Sequence, residues 1–162
     1  KMADLKVTIK ESINLNNTAY GSTRTVTYSD IVDVYKRILT LTADIEVNLY
    51  TTAVSQTEGS VMDKDSVKYV RITNLESSTA INVQITQGAD AGVVWLKILA
   101  GDSLIIGSHS LSMDAADSAL PLTIETEVIT VPVLTDITRV DAYSATTTAQ
   151  VELFIASTAN AA

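Results

Sequence analysis

Short segments in which apolar and polar residues alternate recur along this chain. In the clearest, Ile81-Asn82-Val83-Gln84-Ile85-Thr86, a period of two places three aliphatic side chains on one face of a strand and three polar side chains on the other. Leu5 to Glu11 and Ala149 to Ala156 have the same pattern. The alternation predicts half-buried strands that share one apolar interior. It is too regular for the doubly covered strands of a parallel sheet.

Other candidate strands are rich in branched aliphatic residues and are bounded by turn-forming residues. They are 23–28, 46–52, 66–74, 93–99, 103–107, 122–133 and 137–143. Residues 29–41 fit either a helix or a strand, and we favour the strand. Residues 108–120 are predicted to be a loop with at most one short helical turn. Roughly nine or ten short strands predict an all-β fold, an antiparallel β-sandwich of the jelly-roll kind.

The composition agrees with a sheet. Hydrophobic residues make up 46% of the chain and aromatic residues only 5%, so the core has to be built from branched aliphatic side chains, which favour strands. No linker rich in proline or glycine divides the 162 residues, and we predict a single β-sandwich domain over 1–162. The absence of cysteine excludes disulfides, thiolate metal sites and cysteine nucleophiles.

The net charge of −8 disfavours partners that are themselves polyanions. Bases and tyrosines interleave only in Tyr35-Lys36-Arg37 and in Lys68-Tyr69-Val70-Arg71, so we predict no nucleic-acid partner. The first residues lack the apolar segment of a signal peptide and no stretch is apolar enough to span a bilayer, which predicts a cytosolic product without a membrane partner. The sequon Asn16-Asn17-Thr18 is then expected to be accidental.

The only histidine lies in Gly107-Ser108-His109-Ser110. A nucleophile elbow needs Gly-x-Ser-x-Gly between a strand and a helix, and the second glycine is missing here. Acids that would complete a triad are Asp102, Asp114 and Asp117, but an acidic chain places a carboxylate near any residue. We therefore predict no catalytic residue and no enzymatic activity.

Two groups of carboxylates are candidate calcium ligands. One contains Glu58, Asp63 and Asp65, and the other Asp114 and Asp117. The segment that begins at Asp63 departs from the EF-hand pattern, because valine and lysine stand where a ligand and a glycine are required. Gly88-Ala89-Asp90-Ala91-Gly92 is too short for a phosphate loop and lacks its lysine. The prediction is therefore solvated loop acids, a turn, and no metal or cofactor.

Aromatic side chains offer a further kind of site, because they stack on sugar rings or anchor a protein interface. The chain has seven tyrosines and tryptophans in total: Tyr20, Tyr28, Tyr35, Tyr50, Tyr69, Trp95 and Tyr143. Most are expected to be ordinary core or rim residues. Trp95, within Val93-Val94-Trp95-Leu96, is expected to be buried.

An ordered series of motifs carries a family resemblance. It consists of Tyr69-Val70-Arg71-Ile72-Thr73-Asn74-Leu75, the alternating strand Ile81 to Thr86, Trp95-Leu96-Lys97-Ile98-Leu99-Ala100-Gly101-Asp102-Ser103, Thr138-Arg139-Val140-Asp141-Ala142-Tyr143 and Gln150-Val151-Glu152-Leu153-Phe154-Ile155. This series resembles the small β-sandwich virion proteins of tailed phages, particularly of marine phages, over residues 60–156.

The resemblance implies a non-enzymatic virion component, either a capsid-decorating or cement protein or a subunit associated with the tail or fibre. Its implied partners are other virion proteins, the major capsid or tail proteins, and further copies of itself as a homo-oligomer. The implied localisation is the virion, after synthesis in the host cytoplasm. The alternative from the aromatic residues and acidic loops is a carbohydrate-binding β-sandwich module with a glycan as partner.

Overall fold

The computed structural model describes residues 2–53, 61–63, 65–87, 93–107 and 137–158, which form strands and no helix. Thirteen strands are present in these ranges. They are β1 (Ala3–Lys10), β2 (Ile13–Leu15), β3 (Thr18–Tyr20), β4 (Thr23–Ile31), β5 (Asp33–Leu41), β6 (Glu46–Ala53), β7 (Val61–Asp63), β8 (Val67–Asn74), β9 (Ile81–Gln87), β10 (Val93–Ile98), β11 (Ser103–Ile106), β12 (Ile137–Tyr143) and β13 (Ala149–Ser157).

Two sheets form the body of the protein. One has the order β11-β8-β13-β5 and the other the order β10-β9-β12-β6-β7. Strand β5 pairs with β13, β6 with β12, β8 with β11, and β9 with β10, all antiparallel. This nested pairing of first with last and second with next-to-last is that of an eight-stranded jelly roll. The short β7 adds a parallel edge strand beside β6.

The core lies between the two sheets and is almost entirely aliphatic. Alternate residues of β8, β9 and β13 point inward, among them Ile72, Val83 and Leu153, which are fully buried. Each such side chain contributes about 1.5–3 kcal/mol by leaving water. Among the described residues, Tyr50 is the one aromatic side chain fully buried in this core cluster, and its burial raises the pKa of its phenol. Branched aliphatic packing therefore holds the sheets together, as the composition predicts.

Residues 3–31 form a two-stranded ribbon outside the jelly roll. Strand β1 pairs with β4, while β2 and β3 make a hairpin at the far end of the ribbon. The hairpin turn is Asn16-Asn17, and both residues have positive φ, 50° and 62°. A two-residue turn of this conformation is type I′, whose twist matches that of the flanking strands. The asparagines tolerate left-handed backbone at lower cost than most residues.

The base of the ribbon packs on the outer face of the four-stranded sheet. Leu5 and Tyr28 contact a small second cluster that includes the buried Tyr69 and the half-buried Phe154. The Tyr28 and Tyr69 rings lie 5.7 Å apart between centroids, within the range of favourable aromatic pairs. The register of β1 and β4 shifts close to Asp30, whose φ is 61°, so a bulge bends the ribbon where it reaches the sheet.

The predicted all-β sandwich is confirmed, and so is the choice of strand for most of residues 29–41, which fall in β4 and β5. Three strands were missed. Strands β2 and β3 lie in a segment interpreted as turns, and each has only three residues, too few to show a period. The three-residue β7 has the same difficulty. The predicted loop 108–120 and strand 122–133 lie outside the described residues.

Candidate functional site

The ribbon has one apolar face and one polar face. On the apolar side, cross-strand partners are Leu5 with Tyr28 and Val7 with Val26, followed by Ile9 with Arg24. The opposite side carries lysines and threonines, including a hydroxyl pair at 3.0 Å between Thr8 and Thr25. Toward the base this apolar stripe is half-buried against the sheet, whereas Ile9 is 53% exposed. The stripe therefore continues beyond the surface that covers it.

The hairpin at the tip extends this apolar surface. Ile13 and Leu15 are two residues apart on β2, and Tyr20 is the cross-strand partner of Ile13, so all three side chains share one face. They are 56–58% exposed. An isolated two-stranded hairpin is marginally stable in water because nothing covers its apolar side. We call Ile13, Leu15 and Tyr20 the ribbon tip, an apolar surface that is largely open to solvent.

A charged network lies on the outer face of the four-stranded sheet. The Glu152 carboxylate accepts from Lys36 Nζ at 2.9 Å and from the Arg71 guanidinium at 2.5 Å, while Arg71 Cζ stands 5.6 Å from the Phe154 ring centroid. The hydrogen bond from Lys36 lowers the pKa of Glu152 most; burial opposes this shift, and Arg71 adds to it. The network fixes the positions of two cations beside the base of the ribbon.

Replacing Glu152 with glutamine is expected to lower the free energy of unfolding by about 1 kcal/mol at pH 7. Because the folded-state pKa of Glu152 is lowered, its carboxylate stabilises the fold above the unfolded-state value of about 4.3 and loses that effect as pH falls through the folded-state value. Urea unfolding at several pH values should therefore show the gap to wild type closing in acid.

The control is Glu46→Gln, because Glu46 pairs with Arg139 at 3.3 Å where both side chains are more than 40% exposed. Exposed pairs contribute little, so this variant should stay within about 0.5 kcal/mol of wild type. A Glu152→Gln gap that persists unchanged at acid pH would contradict the ionic role.

The outer face of the five-stranded sheet is mostly polar, with the apolar Val93 and one aromatic side chain exposed on β10. Trp95 on β10 is 50% exposed, and cross-strand neighbours continue its row to Gln84, Asp141 and Asn48. The expectation that Trp95 is buried is therefore wrong. Its segment is apolar on both sides of the strand, and the inward positions are taken by Val94, Leu96 and Ile98.

Asp141 organises the polar groups of this face. It is 1% exposed, accepts from Asn48 Nδ2 at 2.9 Å, and pairs with Arg139 Nε at 2.7 Å. Nearby, the Tyr143 hydroxyl donates to Asp44 Oδ1 at 2.6 Å, and this hydrogen bond is the main reason the pKa of Tyr143 is raised. These contacts hold the polar side chains in defined positions on a rigid sheet.

The sequence-predicted candidates do not gather into one site. Ser108, His109 and Ser110 lie outside the described residues, as do Glu58, Asp114, Asp117 and the Gly88–Gly92 segment. Among the described residues, no group of three histidine or acidic side chains is arranged to hold a metal ion. The carbonyl of Asp102 accepts from the Asn74 amide, which is a structural contact.

The remaining candidates have local structural contacts. Asp63 is 4% exposed and accepts from Ser66 Oγ and from the Asp65 amide, so its carboxylate closes a turn. Arg37 lies over the Tyr35 ring and donates to its hydroxyl at 2.7 Å. The ribbon tip was missed, although paired asparagines flanked by Leu15 and Thr18 are a recognisable hairpin signal.

Comparisons with protein-family models, with curated proteins and with solved structures found no match. The likeness to virion proteins of tailed phages therefore stays a prediction from short motifs. Within the described part of the chain, no helix is long and apolar enough to cross a bilayer.

Proposed function

We propose that this chain is a structural subunit of a tailed-phage virion, a capsid-decorating or tail-associated protein that works through protein contacts. The observation that carries the proposal is the projecting ribbon with its uncovered apolar tip, Ile13, Leu15 and Tyr20. Exposed apolar side chains clustered on one face of a protruding element are characteristic of a surface that another protein covers.

The jelly-roll topology supports this proposal, because eight-stranded jelly rolls recur in viral capsid domains as well as in lectins. Topology alone assigns no function, so the proposal depends on the ribbon. The motifs of the resemblance fall on β8 to β13, the strands that build the sandwich. The expected partners are the major capsid or tail proteins and further copies of the chain in closed symmetry.

Many identical contacts would make such a subunit bind firmly. A single tip buries only a few side chains, but copies joined in one oligomer engage a repetitive particle surface together, which multiplies affinity without new contacts. The net charge of −8 keeps free subunits apart by mutual repulsion until a complementary site is met.

The test is the composition and structure of purified phage particles. We expect mass spectrometry to detect the chain in them and electron cryomicroscopy to place it in a symmetric array with the ribbon against a neighbouring protein. Its absence from purified particles would reject the proposal.

A second experiment tests whether the ribbon is the docking element. It measures how tightly the purified protein binds to phage particles that lack this protein. A variant carrying Ile13→Ser, Leu15→Ser and Tyr20→Ser should bind at least about tenfold more weakly than wild type, because the tip loses its apolar contacts. The matched control carries three substitutions at equally apolar positions outside the ribbon, which are exposed by 42–55%: Ile45→Ser, Leu75→Ser and Leu99→Ser. Equal binding by the tip variant would remove the ribbon as the docking element.

A further inference from the structure

The outer face of the five-stranded sheet lies away from the ribbon and offers a different kind of surface. Trp95 presents its indole to solvent from the middle of β10, and its position is fixed because Val94 and Leu96 on either side point inward. A rigid strand holds the ring in place at little further entropic cost, since tryptophan has only two rotatable side-chain bonds.

Polar side chains extend from this ring across the neighbouring strands, in register with it. Gln84 is the direct cross-strand neighbour of Trp95, and Asp141 follows on the next strand, about 4.8 Å further on. A second row places Asn82 between Lys97 and Tyr143. The amides of glutamine and asparagine each donate and accept hydrogen bonds, so they suit partners that do both.

The charges on this face nearly cancel. Arg139 pairs with Asp141 at 2.7 Å and with Glu46 at 3.3 Å, and Lys97 is the second cation of the face. Among the described residues of this face, two cations stand beside three carboxylates, because Asp44 accepts from the Tyr143 hydroxyl, so the face carries little of the chain's total charge of −8. The face therefore offers stacking and hydrogen bonding, with no strong electrostatic potential that would favour a charged ligand.

From this arrangement we infer that the outer face of the five-stranded sheet binds a neutral saccharide chain, with one pyranose ring stacked on Trp95. The axial C–H groups of a pyranose carry slight positive charge and meet the negative face of the indole. The ring hydroxyls, which donate and accept, meet Gln84 and Asn82. Arg139, oriented by Asp141, supplies a further donor on the same face, two strands away from Trp95. This inference does not depend on the role proposed for the ribbon.

The test uses Trp95 as its own reporter, because it is the only tryptophan in the chain. Neutral gluco-, manno- and galacto-oligosaccharides are titrated into the purified full-length protein, with sialylated and uronic-acid oligosaccharides as acidic comparisons. We expect a saturable change in tryptophan emission with at least one neutral series and none with the acidic ones. If no neutral oligosaccharide changes the emission, or only acidic ones do, the inference is overturned.

Calorimetry of variants assigns the binding to this face. Trp95→Ala should weaken the neutral oligosaccharide by about tenfold or more, while Trp95→Tyr keeps a stacking ring and should retain most of the affinity. The control is Ile105→Ala on the outer face of the other sheet, where the side chain is 43% exposed. Unchanged binding by Trp95→Ala, or tight binding of a peptide in place of sugar, would reject the site. Loss of particle docking in the ribbon-tip variant leaves this result untouched.

Discussion

Replacing Asn74 with aspartate is expected to destabilise the jelly roll by about 3 kcal/mol. Asn74 is fully buried at the end of β8, and its Nδ2 faces the carbonyls of Thr79, Ile98 and Leu99 at 2.7–3.3 Å. Its Oδ1 accepts from the Glu76 amide at 3.1 Å. One side chain therefore ties the end of β8 to the start of β9 and to the turn after β10.

The aspartate variant places a carboxylate against three carbonyl oxygens in a buried site, so the loss combines missing hydrogen bonds with repulsion. Urea unfolding followed by circular dichroism measures it. The difference from wild type should shrink as the pH falls toward about 4, the unfolded-state value for aspartate, because the buried carboxyl protonates more readily than the unfolded one and the protonated acid can donate one hydrogen bond. Asn14→Asp, at an exposed position of β2, is the control and should change stability by less than about 0.5 kcal/mol. A comparably small loss of stability in Asn74→Asp would contradict the role of Asn74 in joining these segments.

Gly21→Ala is expected to detach the tip hairpin from the rest of the ribbon. A Cβ at Gly21 would collide with the carbonyl oxygen of Glu11, a backbone atom that cannot turn away. The hydrogen bond from the Glu11 amide to the Ser22 carbonyl, 2.8 Å long, spans the same junction. The Glu11 amide should exchange with solvent at least about tenfold faster, while global stability falls by less than about 1 kcal/mol, because the junction lies outside the core.

Gly101→Ala is the matched control. Gly101 has a φ of 77° and open space around its Cα, so an added methyl meets no atom but sits in a left-handed conformation. It should cost about 1 kcal/mol of global stability and leave exchange at Glu11 unchanged. Hydrogen exchange read residue by residue separates the two outcomes. Unaltered protection of Glu11 in Gly21→Ala would show that the junction tolerates the methyl group.

The two proposed surfaces belong to different sheets of the sandwich. The ribbon packs through Tyr28 against the four-stranded sheet, whereas Trp95 stands on the outer face of the five-stranded sheet. A subunit held on a particle through its ribbon would leave the second face available to bind a saccharide. Particle binding and sugar binding should therefore be separable by the ribbon-tip variant and by Trp95→Ala.

The pattern of the sequence was enough to predict strands and the faces they bury. Ile81, Val83 and Ile85 point into the core as their alternation predicts, and so do Val151 and Leu153. The prediction succeeded because side chains alternate between the two faces of a strand whatever strands lie beside it. The pattern can therefore be read from each segment alone. The all-β class followed from the same local rule.

Only the tertiary structure decided which strands are neighbours. It therefore also decided which residues meet on each candidate surface. Trp95, Gln84 and Asp141 share a row although they come from three separate strands, and Asn74 joins the loop after β8 to the loop after β10 only because the fold brings both loops to its side chain. Alternation separates two faces of a strand but does not say which one another element covers. Coverage depends on contacts between residues far apart in the chain, which explains why Trp95 is exposed and why the ribbon tip was not foreseen.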